Sequence, residues 1–299
     1  MTSVPAVVEE AVAAATEGDS VAECERLFGG VENDAWAVTT SSRGQLVVRV
    51  AREETADFGA ECWAIERALR SGVPAPTVLW TKGPVTVQRH VGGVALASVS
   101  AHPGPSEAEA VRNAGALLAR LHATETKGYG ALDAAGRASF QSWDAYVLYE
   151  AGKWAARLST QQHEDGAPLR RLVARALDEM RANRDVFAEA ESRLLHGDPK
   201  PDHIFVDESL SITGIIDFGD VRAGDPVFDI AWWSVLHEPT WPSAWLTSDY
   251  PEWEHMPDVA ERLRLHRLFV AVVLGSFGVE TQKPYLSERA AVTLDQHLA

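Results

Sequence analysis

Two acidic residues, Asp198 and Asp217, each follow a short apolar run and are the first candidates for chemistry. Asp198 lies in a loop punctuated by glycine and proline, and Asp217 follows the apolar residues 212–216, just before Phe218-Gly219. If the apolar runs are neighbouring strands, their ends bring both carboxylates to one edge of a cleft. One carboxylate could then orient an attacking hydroxyl and accept its proton, while the other held Mg²⁺ against nucleotide phosphates. The pattern therefore favours phosphoryl transfer, which depends mainly on positioning and charge neutralisation.

The chain before residue 92 has the pattern of a small β-rich unit that could position such a site. Residues 1–28 mix small apolar and acidic residues at helical spacing, which predicts one or two helices. Two β-rich runs around a glycine-containing turn predict a hairpin, and residues 57–70 predict a helix. The predicted strands are residues 36–39, 45–50, 77–80 and 85–88.

From residue 92 onwards the pattern is mainly helical. Residues 98–107 predict a loop, and residues 107–122 predict a helix because their apolar residues recur at helical spacing. A short β-rich interlude surrounds the two acidic candidates, and helix returns from about Asp229 with many tryptophans. The sequence therefore predicts an α+β fold with a small β-rich lobe followed by a larger helical lobe.

Composition restricts the partners and the compartment. With 43 acidic and 27 basic residues, the formal net charge is −16 at pH 7, which argues against binding to nucleic acid or to an anionic membrane. Two cysteines in 299 residues cannot form a disulfide framework, so we expect a reducing cytoplasm. The first residues lack the basic and apolar regions of a secretion signal, and the apolar run from Leu268 is too short to cross a bilayer.

Two motifs resemble those of a known family. The segment HGDPKPDH, residues 196–203, is similar to the catalytic loop of protein kinases, and IIDFG, residues 215–219, is similar to their metal-binding element. Gly197 stands where protein kinases usually have arginine, which resembles the aminoglycoside phosphotransferase and choline-kinase group. Further segments similar to this group, among them GGVENDAWAV, LVVRVAR, AECWAIERAL, LLARLHA and DPVFDIAWW, extend the resemblance over nearly the whole chain. It implies a bilobal protein-kinase-like fold, with residues 1–91 as the nucleotide-binding lobe and residues 92–299 as the helical lobe with the catalytic loop and the acceptor site.

The resemblance also implies roles for residues of the two motifs. Asp198 would be the catalytic base, Lys200 could touch the γ-phosphate, and His196 would support the loop. Asp217 would chelate the metal that bridges the β- and γ-phosphates. His203 stands where the family usually has an asparagine ligand, which resembles the macrolide kinases and one aminoglycoside-kinase subgroup. Imidazole could act there through water, or Mn²⁺ could replace Mg²⁺. From the residues alone, His203 could equally be a structural histidine.

For the nucleotide, the resemblance implies contacts in the first lobe. Gly30 lies in the segment similar to the loop that covers the nucleotide. Arg49 stands where protein kinases place the lysine that grips the α- and β-phosphates, with Glu61 as its ion-pair partner. From the residues alone, Arg49 could instead extend from a strand to solvent, and Glu61 could be an ordinary solvated helix residue. The hinge that contacts the base through backbone groups would include Gln88, Arg89 and Val91.

Together these features predict a nucleotide-dependent O-phosphotransferase that uses ATP or GTP, with Mg²⁺, on a small-molecule hydroxyl. By resemblance, the leading acceptors are antibiotics of the aminoglycoside, macrolide or nucleoside kind, and the alternative is a metabolic amino alcohol or sugar. Two other classes stay open. One is a catalytically inactive kinase-like binding module, and the other is a metal-dependent hydrolase that uses His196, Asp198 and His203.

The chain after residue 220 carries the expectations about the acceptor. Acidic residues there would favour a cationic acceptor, whereas exposed tryptophans would favour a sugar or nucleoside face. Asp225 and Asp229 are expected to cap and pin the next helix rather than to bind substrate. The acidic residues are Asp249, Glu252, Glu254, Asp258 and Glu280, and the tryptophans, expected mainly in packing, are Trp232, Trp233, Trp241, Trp245 and Trp253.

Overall fold

A five-stranded antiparallel sheet forms the N-terminal part of the chain, in the strand order β1-β2-β3-β5-β4. The computed structural model describes residues 4–27, 33–53, 56–161, 167–188, 190–251 and 253–298. The predicted hairpin is confirmed as β2-β3, and the helix and two strands predicted after it are present. The elements are α1 (Ala6–Ala15), β1 (Val21–Leu27), β2 (Asn33–Thr40), β3 (Gly44–Ala51), α2 (Gly59–Arg70), β4 (Val78–Lys82) and β5 (Val85–Arg89).

The alternation of side chains gives this sheet two different faces. Leu46, Val48 and Val87 lie on one face, where they are buried together with Val8 and Val12 of α1. Burial of such aliphatic side chains stabilises the sheet by roughly 1.5–3 kcal/mol for each. The opposite face of β3 carries Val47 and Arg49, whose side chains are only partly buried.

Strand β1 is a departure from the sequence prediction. Residues 1–28 are predicted as helix, which is right for α1 and wrong for Val21–Leu27. β1 is the edge strand of the sheet, pairs with β2, and exposes most of its side chains. An edge strand without a buried face has no apolar alternation, so its charged sequence VAECERL gives no signal for a strand.

The rest of the chain is mainly helical, as predicted. Helix α4 begins at Pro105, two residues before the predicted start, and the Glu107 carboxylate accepts the N–H of Gly104 at 2.9 Å. The predicted loop 98–107 is therefore partly wrong at both ends. The helices are α3 (Leu96–Val99), α4 (Pro105–His122), α5 (Trp143–Thr160), α6 (Ala167–Ala182), α7 (Arg184–Ala188), α8 (Val227–His237), α9 (Ser243–Ser248), α10 (Val259–Glu280) and α11 (Pro284–His297).

Two small sheets fill the interlude around Asp198 and Asp217. In the first, β9 lies between β6 and β10, and in the second, β11 lies between β7 and β8. The strands that precede Asp198 and Asp217, β8 and β10, lie in different sheets, so they are not the neighbouring strands that the sequence pattern suggested. Their bounds are β6 (Val94–Ala95), β7 (Gly130–Ala131), β8 (Arg193–Leu195), β9 (Ile204–Val206), β10 (Ile212–Ile215) and β11 (Arg222–Gly224).

Two hydrophobic cores hold the helical part and join it to the sheet. The larger one lies among α5, α6, α8, α10 and α11. The other combines Ile65 of α2, Leu118 of α4 and Ile204 of β9. Because α2 belongs to this second core, it is packed against the strands that carry Asp198 and Asp217. Within the described residues, no helix is long and apolar enough to cross a membrane.

Candidate active site

The loop after β8 holds the side chain of Asp198 on both of its oxygens. The indole Nε1 of Trp232 donates to Asp198 Oδ1 at 2.6 Å, and Lys200 Nζ donates to Oδ2 at 2.8 Å. Gly197 has φ +87°, and a Cβ at this position would lie 1.9 Å from the carbonyl oxygen of Asp220. Only glycine fits there, because the backbone of this loop touches the backbone of the neighbouring one.

Asp229 fixes the backbone of the same loop from within α8. Its carboxylate accepts the N–H groups of His196 and Gly197 at 2.8 and 3.0 Å, and a third bond from His122 Nε2 at 3.0 Å. Burial opposes ionisation of this fully enclosed carboxyl, but the hydrogen bonds that it accepts, first that from His122, lower its pKa. Asp229 is therefore an ionised anchor beneath Asp198.

The prediction that Asp225 and Asp229 cap the next helix is half right. Asp225 accepts the N–H of Val227, the first residue of α8, at 3.0 Å, and pairs with Arg262. Asp229 lies inside α8 and binds the loop of Asp198 instead. Local spacing gave no signal for this contact, because its three partners lie 32, 33 and 107 positions earlier in the chain.

Asp217 adopts a left-handed backbone conformation after β10, with φ 64° and ψ 65°. This conformation is uncommon outside glycine, and aspartate is among the residues that tolerate it best. In this conformation the Asp217 carboxylate lies close to His203, with 3.2 Å between Asp217 Oδ2 and His203 Nε2. Ligand atoms of Asp198, His203 and Asp217 all lie within 4.8 Å of one another. The structure thus brings Asp217 of the second motif to Asp198 and His203 of the first.

The donor set of this group fits a divalent cation. His203 Nδ1 donates to the carbonyl oxygen of Asp198 at 3.1 Å, and burial lowers the His203 pKa to about 4. A neutral ring bonded through Nδ1 presents the lone pair of Nε2 to the carboxylate of Asp217. Two acceptors facing each other are unfavourable unless a cation accompanies them. Carboxylate oxygens suit Mg²⁺, and the added imidazole nitrogen makes Mn²⁺ equally acceptable.

Arg49 connects the sheet to this group. Its Nη1 donates to Glu61 Oε1, and its Nη2 lies 3.3 Å from Asp217 Oδ1. Glu61 is 5% exposed and also accepts a hydrogen bond from Gln88 Nε2 at 3.2 Å. Burial raises the pKa of Glu61, and the positive charge of Arg49 opposes that shift. Arg49 therefore does not extend to solvent and Glu61 is not a solvated helix residue.

Residues 88–91 lead from the sheet to β6. The Gln88 side chain is buried against Glu61, and the N–H groups of Arg89 and His90 are already bonded to carbonyls of the sheet at 2.9 and 3.2 Å. The predicted hinge would contact the nucleotide base through backbone groups of Gln88, Arg89 and Val91. Because the N–H of Arg89 is already bonded, the groups that remain for this contact are the N–H of Val91 and the backbone carbonyls. Gly30, the predicted loop residue over the nucleotide, lies outside the described residues.

The residues expected to shape the acceptor site have different surroundings. Glu280 pairs with Arg157 at 3.6 Å, where α10 and α5 end, and Glu252 lies outside the described residues. Trp233 is fully buried and donates to the Trp241 carbonyl at 2.9 Å. These two tryptophans are core residues as expected. Trp232 is the exception, since its indole bonds directly to Asp198. In the sequence it stands beside Trp233, and nothing there indicates which of the two contacts Asp198.

The chain belongs to the phosphotransferase enzyme family, whose model matches residues 23–266. It is therefore a phosphotransferase, as the motifs predicted. No curated protein matches the chain.

Several solved structures share the fold over nearly the full length. A thermostable mutant of aminoglycoside phosphotransferase APH(4)-Ia, in a ternary complex with AMP-PNP and hygromycin B, has a TM-score of 0.76 at 21% identity, covering 98% of both chains. The gentamicin complex of APH(2")-IIa gives 0.69 at 15% identity, covering 99% of this chain and 97% of the other. The GDP and kanamycin complex of APH(2")-IIia gives 0.67 at 18% identity, covering 98% of both. The predicted protein-kinase-like fold is confirmed.

Proposed function

We propose that this chain transfers the γ-phosphate of ATP or GTP to a hydroxyl group of a small molecule. The observation that carries the proposal is the convergence of Asp198, His203 and Asp217 within 4.8 Å, with Arg49 reaching Asp217 from the sheet. A base, a metal site and a phosphate-binding cation are the parts that phosphoryl transfer requires. They come from separate segments of the chain, so chance proximity of one motif does not account for them.

Asp198 is the catalytic base in this proposal. It orients the acceptor hydroxyl and accepts its proton while the bond from the hydroxyl oxygen to the γ-phosphorus forms and the bond to the leaving diphosphate breaks. Lys200 pairs with Asp198 Oδ2, and its side chain is 29% exposed. In the proposed mechanism it turns from Asp198 to the γ-phosphate when nucleotide binds. Asp217 and His203 would hold Mg²⁺ or Mn²⁺, which supplies charge neutralisation at the β- and γ-phosphates when it is bound.

The nucleotide would lie against the sheet face that carries Arg49. Residues opposite each other on neighbouring strands share a face, and Arg49 pairs with Ala35, as Gln45 pairs with Thr39. A cavity lined by Thr39, Gln45 and His90 lies on this face, at the hinge end of β3. We place the base in that cavity and the α- and β-phosphates at Arg49.

This placement assigns nucleotide binding to the first predicted lobe and acceptor binding to the second. Residues 1–91 would form the nucleotide-binding lobe, with Gly30 in the loop over the phosphates and Val91 at the base. Residues 92–299 would form the helical lobe that presents Asp198 to the acceptor. Arg49 spans the division, because it contacts Glu61 in one lobe and Asp217 in the other.

The acceptor is proposed to be an antibiotic of the aminoglycoside, macrolide or nucleoside kind. Support comes from the structural neighbours, which were solved with hygromycin B, gentamicin and kanamycin. Phosphorylation would inactivate the compound and give resistance or self-protection, with the enzyme working in the cytoplasm. A metabolic amino alcohol or sugar is the second candidate, since it would use the same base and the same metal group.

An acceptor screen tests the proposal. The purified chain is given ATP or GTP with Mg²⁺ or Mn²⁺ and a panel of antibiotics, amino alcohols, sugars and one protein substrate, and release of nucleoside diphosphate is scored over background. Asp207→Asn is the matched control for Asp198→Asn, because Asp207 is an exposed aspartate in a turn of the same segment. We expect turnover with at least one small molecule, lost in Asp198→Asn and kept in Asp207→Asn.

Three results would contradict the proposal in different ways. Phosphorylation of protein without any small molecule would return the chain to the protein-kinase class. Nucleotide binding without turnover on any acceptor would favour a binding module. Tight metal binding by calorimetry in the absence of nucleotide, with hydrolysis of a test ester, would favour the hydrolase.

A further inference from the structure

Within the described ranges, Trp232 is the tryptophan that bonds to the proposed base, and nothing in the kinase motifs assigns it a role. Its indole N–H donates to Asp198 Oδ1 at 2.6 Å from the middle of α8. We infer that Trp232 is a positioning residue that fixes the orientation of the Asp198 carboxylate towards the acceptor hydroxyl. The inference rests on the proposed function, because it concerns how the proposed base is held.

The need for such a donor follows from the freedom of the aspartate side chain. The final torsion of aspartate joins a tetrahedral carbon to a planar group, so it has broad, shallow preferences of its own. Two donors hold it here, Trp232 on Oδ1 and Lys200 on Oδ2. Each oxygen keeps one further lone-pair direction, and those two directions are what the acceptor hydroxyl meets.

The two donors are not equivalent during turnover. Lys200 has a long flexible side chain, and in the proposed mechanism it reaches away to the γ-phosphate once nucleotide is bound. Trp232 has no such second task, and its ring packs against Phe228 with 5.8 Å between ring centres. When Lys200 turns to the phosphate, Trp232 is the donor that remains on Asp198.

The position of Trp232 in α8 adds to this argument. Asp229 and Trp232 are three residues apart and therefore lie on the same side of the helix. Asp229 holds the backbone N–H groups of His196 and Gly197, and Trp232 holds the side chain of the next residue, Asp198. One turn of a buried helix thus sets both where the base is and how it is turned.

Tryptophan suits this position chemically. Its indole N–H is a donor without acceptor capacity, so it cannot take up the proton that Asp198 receives from the hydroxyl. It also does not ionise in the pH range where enzymes work, so the indole N–H remains a donor throughout that range. A serine or histidine at the same place would offer an acceptor as well and would compete for the substrate hydroxyl.

The first test substitutes Trp232→Phe, which keeps an aromatic ring and removes the N–H. Release of ADP from ATP and Mg²⁺ is measured first with water as the acceptor and then with kanamycin. We expect turnover to fall about 10- to 100-fold, the size of effect that a misplaced catalytic group produces, with the KM for ATP unchanged. Trp233→Phe is the matched control, because it removes the same kind of N–H bond one residue along α8, to the Trp241 carbonyl.

A double substitution separates positioning from a general effect on the fold. In the Asp198→Asn background, adding Trp232→Phe should cost no further turnover, because the group that Trp232 holds is no longer a base. An equal further loss would overturn the inference, as would a Trp232→Phe variant with turnover within twofold of the wild type. A matched loss in Trp233→Phe would also overturn it.

A spectroscopic test applies even where turnover is too slow to measure or Trp232→Phe does not fold. In the wild-type chain with ¹⁵N-labelled tryptophan, the Trp232 indole resonance should lie well downfield because its N–H bonds to a carboxylate. It should move upfield in Asp198→Asn, while the other indole resonances stay in place. A Trp232 resonance that ignores Asp198→Asn would refute the contact. Full turnover in Asp198→Asn with the expected resonance shift would instead refute the proposed function and leave the contact standing.

Discussion

The ion pair between Arg49 and Glu61 allows a prediction whose size follows from the structure. We expect Glu61→Gln to weaken nucleotide binding while leaving the fold intact. Both side chains are mostly enclosed, with 12% and 5% exposure, so their attraction is weakly screened. At an effective dielectric constant of about 20, two unit charges about 4 Å apart attract by about 4 kcal/mol. Glutamine keeps a hydrogen bond to the guanidinium, worth about 2 kcal/mol.

The difference between these two values is a loss of about 2 kcal/mol in the attraction that holds Arg49 in place. Because Arg49 is proposed to bind the phosphates, this loss should appear in the free energy of nucleotide binding. With a factor of ten for each 1.4 kcal/mol, nucleotide binding should weaken about 10- to 30-fold. Once released from Glu61, Arg49 should keep its contact with Asp217, 3.3 Å away, where it would compete with a bound metal ion. The apparent constant for Mg²⁺ should therefore rise together with that for nucleotide.

Stability should respond in the opposite sense. Burial raises the folded-state pKa of Glu61 above its unfolded value of 4.5, so the ionised form destabilises the fold once the pH exceeds the folded pKa. Glutamine removes that cost, and the thermal midpoint at pH 7 should stay the same or rise. If Glu61→Gln lost nucleotide binding because it unfolded, its thermal midpoint would fall instead.

Calorimetric titration with AMP-PNP and Mg²⁺ measures the binding, and scanning calorimetry measures the midpoint. Glu66→Gln is the matched control, since Glu66 lies on the same helix and pairs with Arg70 at the surface, where both side chains are more than half exposed. A change of less than twofold in nucleotide affinity for both Glu61→Gln and Arg49→Ala would refute the reasoning. Equal losses in Glu61→Gln and Glu66→Gln would do so as well.

Three further predictions concern other parts of the chain. Asp198→Asn should lower turnover at least 100-fold with unchanged nucleotide affinity, whereas Asp217→Asn should weaken Mg²⁺-dependent nucleotide binding too, and steady-state kinetics with titration calorimetry will distinguish them. Gly115→Ala should destabilise the fold by about 1–3 kcal/mol in urea unfolding, because its Cβ would lie 1.8 Å from a carbonyl of α9, while Gly152→Ala, with open space around it, should stabilise by about 0.5–1 kcal/mol. Burial lowers the His237 pKa to about 4 from 6.5, and its Nε2 has no hydrogen-bond partner among the described residues. Its neutral form therefore stabilises the fold above pH 6.5, and this stability, about 3 kcal/mol, falls away as the pH drops towards 4. His237→Phe should raise the midpoint at pH 7 and flatten this acid loss, and an unchanged pH profile would count against it.

The parts of the fold and site that short-range patterns describe could be predicted from the sequence. The β2-β3 hairpin has apolar alternation on one buried face, and the loops of Asp198 and Asp217 carry their glycine and proline signals within a few residues. The Arg49 and Glu61 pair was predicted through resemblance, since the two residues are twelve positions apart, Arg49 on β3 and Glu61 on α2. In each case the residues that decide the structure are close together or belong to a familiar motif.

The parts that the sequence did not predict depend on contacts between distant segments. β1 has no buried face, so its residues look helical until the partner strand is known. Asp229 and Trp232 act on a loop more than thirty positions earlier. Nothing in DPVFDIAWW distinguishes a tryptophan that holds a carboxylate from its neighbour that fills the core. Tertiary packing makes that distinction, and periodicity does not report it.

The contact of Gly197 with the carbonyl of Asp220 has a consequence for how this enzyme could change its substrate. No side chain lies between the two loops at this point, so nothing compressible separates the segment of Asp198 from that of Asp217. In the proposed mechanism, this contact would hold the base and the metal-binding carboxylate at a fixed separation, whatever the size of the acceptor. Adaptation to a new acceptor would then come from substitutions in the walls of the acceptor site, which leave this separation unchanged. A methyl group at residue 197 would change it, because it would push the two loops apart.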